Sequence, residues 1–237
     1  MKCKDLIAKL EELSPAMYAM DWDNSGLLVG DGEKEVNKVL LSVDVTDEVV
    51  EEAIREGANM ILAHHPLIFG KINRVVATDL IGRRIIRMIE NGICCYCMHT
   101  NFDVGNNGMN DILANKLELT DIHYIKEELD SSCLMRIGNI NEMKLSDLAD
   151  KVIDKFKQSS VKIIGNKNKK IKTVGIVGGS GSSEINNALR YKCDCFITGE
   201  IHHHIGLEAI EQGLCMIEVN HAVEALFKDS LKDLLQE

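Results

Sequence analysis

One continuous segment, residues 39–66, has the pattern of a strand–helix–strand unit: VLLSVDVTDEVVEEAIREGANMILAHHP. The apolar run at 39–44 predicts a short strand, and Thr46 is a suitable N-cap for the helix DEVVEEAIRE. Gly57 supplies a C-terminal stop for that helix, and the apolar run at 60–63 predicts the next strand. Two strands joined by a crossover helix are typical of a parallel sheet.

The same alternation continues on either side of a less regular middle. A predicted helix at about 79–90 precedes the strand ICCYCM, and the strands TVGIV, DCFIT and LCMIEV alternate with helices near the C-terminus. The middle, residues 121–160, contains one predicted strand at 133–137. The predicted fold class is therefore α/β, with two related halves at about 1–120 and 161–237. Both have mostly parallel strand–helix alternation, and we expect them to form one compact unit.

Composition excludes several classes of protein. With 237 residues, 45% hydrophobic and 27% charged, the chain falls in the ordinary globular range. Its formal net charge of −10 disfavours nucleic acid as a partner, because an acidic surface repels phosphate backbones. No run of eighteen apolar residues occurs, so the sequence predicts no membrane-spanning helix.

The eight cysteines lie largely in apolar, strand-like runs such as ICCYCM and CDCFI, where Cys behaves as a small hydrophobe. A chain of this length can bury a core without disulfides, and neither C-x-C pair has the C-x-x-C spacing of a zinc site. We therefore predict buried, reduced cysteines, a reducing compartment and a cytoplasmic location.

The histidines are placed non-randomly. Seven of the eight follow predicted strands, directly or within a few residues: His64, His65, His99, His202, His203, His204 and His221. In open α/β sheets, ligands bind in the crevice beyond the carboxyl ends of the strands. The segments AHHP, MHTNFD, TGEIHHH and VNHAVE are therefore candidates for one site.

The residues themselves favour metal binding. His64 and His65 are adjacent, so in an extended chain their side chains point to opposite faces, which suits two nearby cations; the alternative is a pair of ordinary loop histidines. His99 and Asp103 form an H-x-x-x-D set after the next strand, and the Asp103 carboxylate could share a cation with a histidine. Mixed imidazole and carboxylate ligands suit zinc, iron, manganese or similar ions.

Three further segments are less decisive. His221 and Glu224 are three residues apart at the start of a predicted helix, so they share a face, and a carboxylate there could bridge two cations. The loop GGSGSS could hold an anion on its amides or simply form a tight strand-to-helix turn. The run IHHH is either a solvated cluster or a contributor to the site.

Five motifs occur in order along nearly the whole chain: WDNSGLLVG, AHHPLIF, HTNFD with GMND, VGGSGSS and TGEIHHH. Together they resemble the GTP cyclohydrolase I type 2 homologues, also called the NGG-interacting-factor-three-like family of dinuclear metal proteins. The resemblance implies that His64, His65 and Asp103 are metal ligands. Glu200 stands where the family usually has Asp, and His204 occupies the position of the terminal histidine of that motif.

The last ligand pair departs from the family pattern, in which His and Glu are four residues apart. Aligned on Glu224, the sequence VNHAVEA has Asn220 at the ligand position and His221 one residue later. Either His221 binds from the shifted position, or Asn220 is a weak ligand and one metal site is impaired. We predict that His221 and Glu224 are the ligands and that Asn220 is an N-cap.

The resemblance also implies a single domain over residues 1–237, without the inserted middle domain of some relatives, that assembles as a homohexameric ring. It implies two divalent cations per chain and a hydrolase that acts on a nucleotide-like small molecule through metal-activated water. Glu200 or Glu224 would shuttle protons, and His99 or His204 would stabilise developing charge. The alternative is a non-catalytic metal-binding scaffold or regulatory interaction protein.

Overall fold

The computed structural model describes residues 1–124 and 134–236 and alternates helices with short strands. The α-helices are α1 Cys3–Leu13, α2 Asp47–Glu56, α3 Leu80–Glu90, α4 Thr100–Val104, α5 Met109–Lys116, α6 Leu145–Lys155, α7 Ile185–Arg190, α8 His203–Glu211 and α9 Leu226–Gln236. The strands are β1 Gly26–Val29, β2 Val39–Ser42, β3 Met60–Ala63, β4 Cys94–Cys97, β5 Thr120–Tyr124, β6 Arg136–Lys144, β7 Lys162–Ile164, β8 Lys170–Ile176, β9 Cys195–Thr198 and β10 Cys215–Glu218. The predicted α/β class is confirmed.

The chain contains two compact units. The N-terminal unit comprises Met1–Asn106 together with Phe227–Glu237, and the C-terminal unit comprises Asn107–Leu226. Within the described ranges, no helix combines the length and the apolarity needed to cross a bilayer.

The N-terminal unit contains a four-stranded sheet in the order β1-β4-β3-β2 among its described residues. Strands β2, β3 and β4 are parallel, whereas β1 pairs antiparallel with β4 at the edge. The predicted caps of α2 are confirmed. Thr46 Oγ1 accepts a hydrogen bond from the Val49 amide, and Gly57 has the left-handed φ of +67° that glycine adopts without strain.

The described part of the C-terminal unit contains a six-stranded sheet in the order β5-β6-β8-β9-β10-β7. Its centre, β8-β9-β10, is parallel, as are β2, β3 and β4 of the N-terminal unit. Strands β5 and β6 extend this centre antiparallel on one side, and β7 pairs antiparallel with β10 on the other. The strand predicted at 133–137 begins outside the described residues, since Cys133 is not among them; β6 covers its last two residues and continues to Lys144.

The cysteines of the described ranges pack as core residues, as predicted. The seven that lie in the described ranges are buried and not in disulfides. Desolvation raises the pKa of Cys95 to about 12, so its thiol stays protonated at neutral pH and behaves as an apolar side chain.

Candidate functional site

The parallel sheet of the N-terminal unit brings polar residues to the carboxyl ends of its strands. Beyond the end of β3, the His64 amide donates to Ser42 O at 3.0 Å and the His65 amide donates to Val43 O at 2.8 Å. Asp44 follows β2 on this edge. Because neighbouring parallel strands end together, the residues after β2 and β3 lie at one edge of this sheet.

His64 is held tightly. Its side chain is fully buried, and its ring packs against those of Phe102 and Phe227, with centroids 6.4 and 5.3 Å away. Nδ1 donates a hydrogen bond to the Met98 carbonyl at 2.8 Å, which fixes the tautomer and directs Nε2 toward Asp103.

The separation between His64 Nε2 and Asp103 Oδ1 is 3.6 Å, with the Asp103 side chain 14% exposed. That distance is too long for a good hydrogen bond. It is close to the roughly 3.4 Å expected between two donors on one tetrahedral cation with bonds of about 2.1 Å. This donor pair therefore fits a divalent metal ion.

His65 is oriented by a carboxylate. Its Nδ1 donates to Asp44 Oδ1 at 2.8 Å, so a cation would take Nε2. A carboxylate on the distal ring nitrogen is the usual outer partner of a metal-binding histidine, because it fixes the ring and raises its basicity. Ligand atoms of His64 and His65 lie within 4.8 Å of each other, so the two residues could hold a metal ion together.

His99 is oriented in the same manner by Asp23, since its Nδ1 donates to Asp23 Oδ1 at 2.8 Å. The Asp23 side chain is fully buried, and burial alone would raise its pKa. Hydrogen bonds from His99 and from Thr100 outweigh the burial and hold the pKa of Asp23 below its usual range. The His99 ring lies 5.4 Å from that of His64 and 5.6 Å from that of His65.

The N-terminal donor group thus comprises His64, His65, His99 and Asp103, the predicted residues of this unit. Asp23 and Asp44, which orient two of its histidines, did not emerge from the sequence as site residues. Asp44 carried a usable signal, because it is the last residue of the predicted strand 39–44 and so lies at a strand end, close to the position that the histidines have. Asp23 lies in the WDNSGLLVG motif, but nothing in that motif indicates a histidine partner 76 residues away.

The C-terminal unit holds a second group of donors. His221 and Glu224 lie in a 3₁₀ turn, His221–Ala225, which directly precedes α9. With three residues per turn, positions i and i+3 are superimposed, and His221 Nε2 lies 3.2 Å from Glu224 Oε2. The Asn220 side chain accepts a hydrogen bond from the Ala222 amide at 2.8 Å, which confirms its predicted capping role. Whether His221 or Asn220 binds a metal stays a prediction.

Glu200, His221 and Glu224 form the C-terminal donor group. The hydrogen bond with Glu224, aided by its charge and by the Glu200 carboxylate 2.8 Å from Nδ1, raises the pKa of His221 to about 9. The metal-free imidazole is therefore an imidazolium at neutral pH. A histidine that ligates a metal must be neutral, so cations compete with a proton here.

The glycine loop packs against Glu224. Gly179 has a φ of +56°, and a Cβ added there would lie 2.3 Å from Glu224 Oε1. The Gly181 amide donates to Thr198 Oγ1 at 2.9 Å, and the Ser182 hydroxyl donates to the Glu200 carbonyl at 2.6 Å. These bonds tie the loop to the end of β9 and to the residues that follow it, and a role in anion binding stays a prediction.

The histidine run 202–204 is exposed at the start of α8. His204 stacks on His202, with ring centroids 6.1 Å apart and planes inclined by 15°. His202 is the member of the run whose charge helps to lower the pKa of Glu200, after the hydrogen bond from His221 as the main cause. A role for His204 stays a prediction.

Comparisons with known proteins agree over the whole chain. The model of the family described as Duf34/NIF3 (NGG1p interacting factor 3) matches residues 1–237. A GTP cyclohydrolase 1 type 2 homolog of Clostridium acetobutylicum is 33% identical over 225 residues, which cover 93% of this chain and 84% of the relative. The homolog of Clostridium perfringens is 36% identical, covering 93% and 86%. The crystal structure of the hypothetical protein SA1388 of Staphylococcus aureus matches with a TM-score of 0.91 and 34% identity, covering 100% of this chain and 91% of that one.

Proposed function

The chain belongs to the Duf34/NIF3 family, and from this membership and its donor geometry we propose that it is a divalent-metal-dependent hydrolase with a dinuclear centre. The observation that carries the proposal is the buried His64–Asp103 donor pair, 3.6 Å apart, with the other nitrogen of His64 fixed by a backbone carbonyl. Such fixed tautomers and donor spacings are characteristic of metal ligands.

The proposed substrate is a nucleotide-like small molecule. Curated relatives with 33% and 36% identity carry the name GTP cyclohydrolase 1 type 2 homolog, which supports this substrate class. The net charge of −10 disfavours a polyanionic nucleic acid. A homo-oligomeric assembly, with the hexameric ring that the resemblance implies, is part of the proposal.

Divalent cations, when bound, would polarise the electrophile and lower the pKa of a water molecule. In the N-terminal unit, His64, His65 and Asp103 would hold them, and Asp44 would keep the His65 ring in its binding orientation. In the C-terminal unit, His221 and Glu224 are the proposed ligands. The zinc, iron and manganese group of ions suits this mixture of imidazole and carboxylate.

The remaining polar residues have proposed roles in proton and charge transfer. Glu200 has a side chain 54% exposed, so its carboxylate can exchange protons with solvent and serve as the shuttle. His99, fixed by Asp23, would donate a hydrogen bond to charge that develops on the substrate. His204 is the second proposed group for this charge stabilisation.

Elemental analysis of the purified protein, combined with a nucleotide turnover screen, tests the proposal. We expect two divalent cations per chain, turnover of at least one nucleotide, and loss of that turnover on chelation. Asp103→Ala should lose metal and activity, whereas His123→Ala, an exposed histidine on β5, should lose neither. One cation or none after reconstitution would contradict the dinuclear centre.

The alternative function, a non-catalytic metal-binding scaffold or regulatory interaction protein, uses the same donors. It predicts two bound cations with no chelator-sensitive turnover of any nucleotide in the screen. That result would replace the hydrolase proposal.

A further inference from the structure

Two large aromatic side chains lie exposed beside the N-terminal donor group. Trp22 is 59% exposed and Phe69 is 57% exposed, and their ring centroids are 5.8 Å apart with planes inclined by 45°. Both rings contact His99, at centroid distances of 6.0 Å for Trp22 and 6.4 Å for Phe69. The three rings therefore form one cluster.

The segments that carry these rings are fixed by polar contacts. Asp23, directly after Trp22, has a fully buried carboxylate that accepts hydrogen bonds from His99 Nδ1 and from the Thr100 amide. The Asn24 side chain donates to the Ile68 carbonyl at 2.6 Å, which connects the Trp22 segment to the residue before Phe69. Because these segments are already ordered, a ligand that binds here does not reduce their conformational entropy further.

The chemistry of this surface suits a planar ring. Ligand sites combine apolar and aromatic walls with a few oriented polar groups, and the His99 ring links these two aromatics to the imidazoles of His64 and His65. Aromatic side chains bind planar rings by stacking, which tolerates different ring substituents.

We propose that Trp22 and Phe69 form an aromatic platform that stacks on the heteroaromatic ring of the ligand, such as a purine base. The proposal rests on the proposed function for the reaction that follows binding, but the stacking itself requires no metal. Asp103 belongs to the adjoining donor group, and Asp23 and Asp44 orient its histidines; without a cation these carboxylates repel phosphate. A neutral ring is thus the part of a nucleotide that this surface recognises.

The fluorescence of Trp22 provides a direct readout, because it is the single tryptophan of the chain. Guanosine, which has the ring but no phosphate, is titrated into full-length protein kept metal-free with a chelator. We expect saturable quenching by guanosine and none by ribose. The same titration of free tryptophan amide corrects for the light that the nucleoside absorbs.

Variants of Phe69 separate ring stacking from simple apolar contact. Phe69→Leu keeps an apolar side chain without a ring and should weaken guanosine binding by about ten-fold. Phe69→Tyr keeps the ring and should bind guanosine like the parent. Ile89→Ala, which alters a 60% exposed apolar residue on α3, is the matched control and should change nothing.

Non-saturable quenching, equal quenching by ribose, or parental affinity in Phe69→Leu would overturn the proposal. A Trp22 emission that shifts to shorter wavelength as protein concentration rises would also overturn it, since the two rings would then be buried between copies of the chain. These failures are distinct from failure of the proposed function, because chelator-sensitive turnover is measured separately and needs no quenching.

Discussion

Both units contain imidazole and carboxylate donors, but the imidazoles of the two units have different hydrogen-bond and charge partners. In the N-terminal donor group, each imidazole donates through Nδ1 to one fixed acceptor: Met98 O for His64, Asp44 for His65 and Asp23 for His99. In the C-terminal donor group, the single imidazole of His221 lies between two carboxylates, Glu200 and Glu224. The difference shows that the chemical behaviour of a histidine at a strand end depends on its hydrogen-bond partners more than on its position.

The local backbone explains this difference. In the N-terminal unit, three parallel strands end side by side, so Met98 after β4 and Asp44 after β2 each supply an acceptor to a histidine after β3. The acceptor of His99 is Asp23, which lies before the antiparallel strand β1. In the C-terminal unit, a 3₁₀ turn places Glu224 directly over His221 and raises the pKa of the imidazole to about 9. The first arrangement fixes the orientation of each ring, and the second favours the protonated form of the His221 imidazole.

The largest expected effect concerns the N-terminal donor group. His65→Ala should lower metal affinity by about 100-fold or more, because loss of even an outer partner of a ligand costs ten- to 100-fold. The metal-free variant should lose less than about 1 kcal/mol of stability, since His65 lies on the edge of the sheet and its partner Asp44 is largely exposed. Metal titration and thermal unfolding of the chelated protein measure the two effects.

His123→Ala is the matched control for this prediction and should retain full metal affinity. Unfolding of metal-free His65→Ala far below the temperature of the metal-free parent would show that His65 is a structural residue.

The next largest expected effect is a loss of cation affinity in the C-terminal donor group. His221→Ala should weaken binding of one cation by about ten-fold or more. Asn220→Ala should retain that cation and lose only the cap to the Ala222 amide, about 1 kcal/mol of stability. Metal titration of the two variants decides between the residues, and loss of the ion in Asn220→Ala alone would reverse our assignment.

The smallest expected effect is the difference, about 1 kcal/mol, between substitutions of one glycine from each unit. Gly57 and Gly179 have φ values of +67° and +56°, but an added Cβ meets nothing within 4 Å at Gly57 and lies 2.3 Å from Glu224 Oε1 at Gly179. Gly57→Ala should therefore cost about 1–2 kcal/mol from backbone strain alone. Gly179→Ala should cost at least about 1 kcal/mol more, because the buried Glu224 must move.

Urea denaturation of both glycine variants gives the comparison. Equal destabilisation would mean that Glu224 adjusts without cost and that the glycine loop does not fix its position.

Much of the fold follows from local sequence. The alternation of apolar runs with capped helices predicted β2, α2 and β3 nearly to the residue, because Thr46 and Gly57 act through backbone groups a few residues away. The strand-end rule identified His64, His65 and His99, since parallel neighbours must end at one edge of a sheet. The ordered motifs indicated the family that the whole-chain match confirmed.

Contacts between distant parts of the chain were decided only by the tertiary structure. Asp23 meets His99 across 76 residues and Asp44 meets His65 across 21, and no local pattern encodes such pairings. The antiparallel edge position of β1 and the 3₁₀ geometry that places His221 over Glu224 likewise depend on packing. A sequence specifies which groups are available at each strand end. Which nitrogen each imidazole presents depends on acceptors that folding brings from elsewhere in the chain.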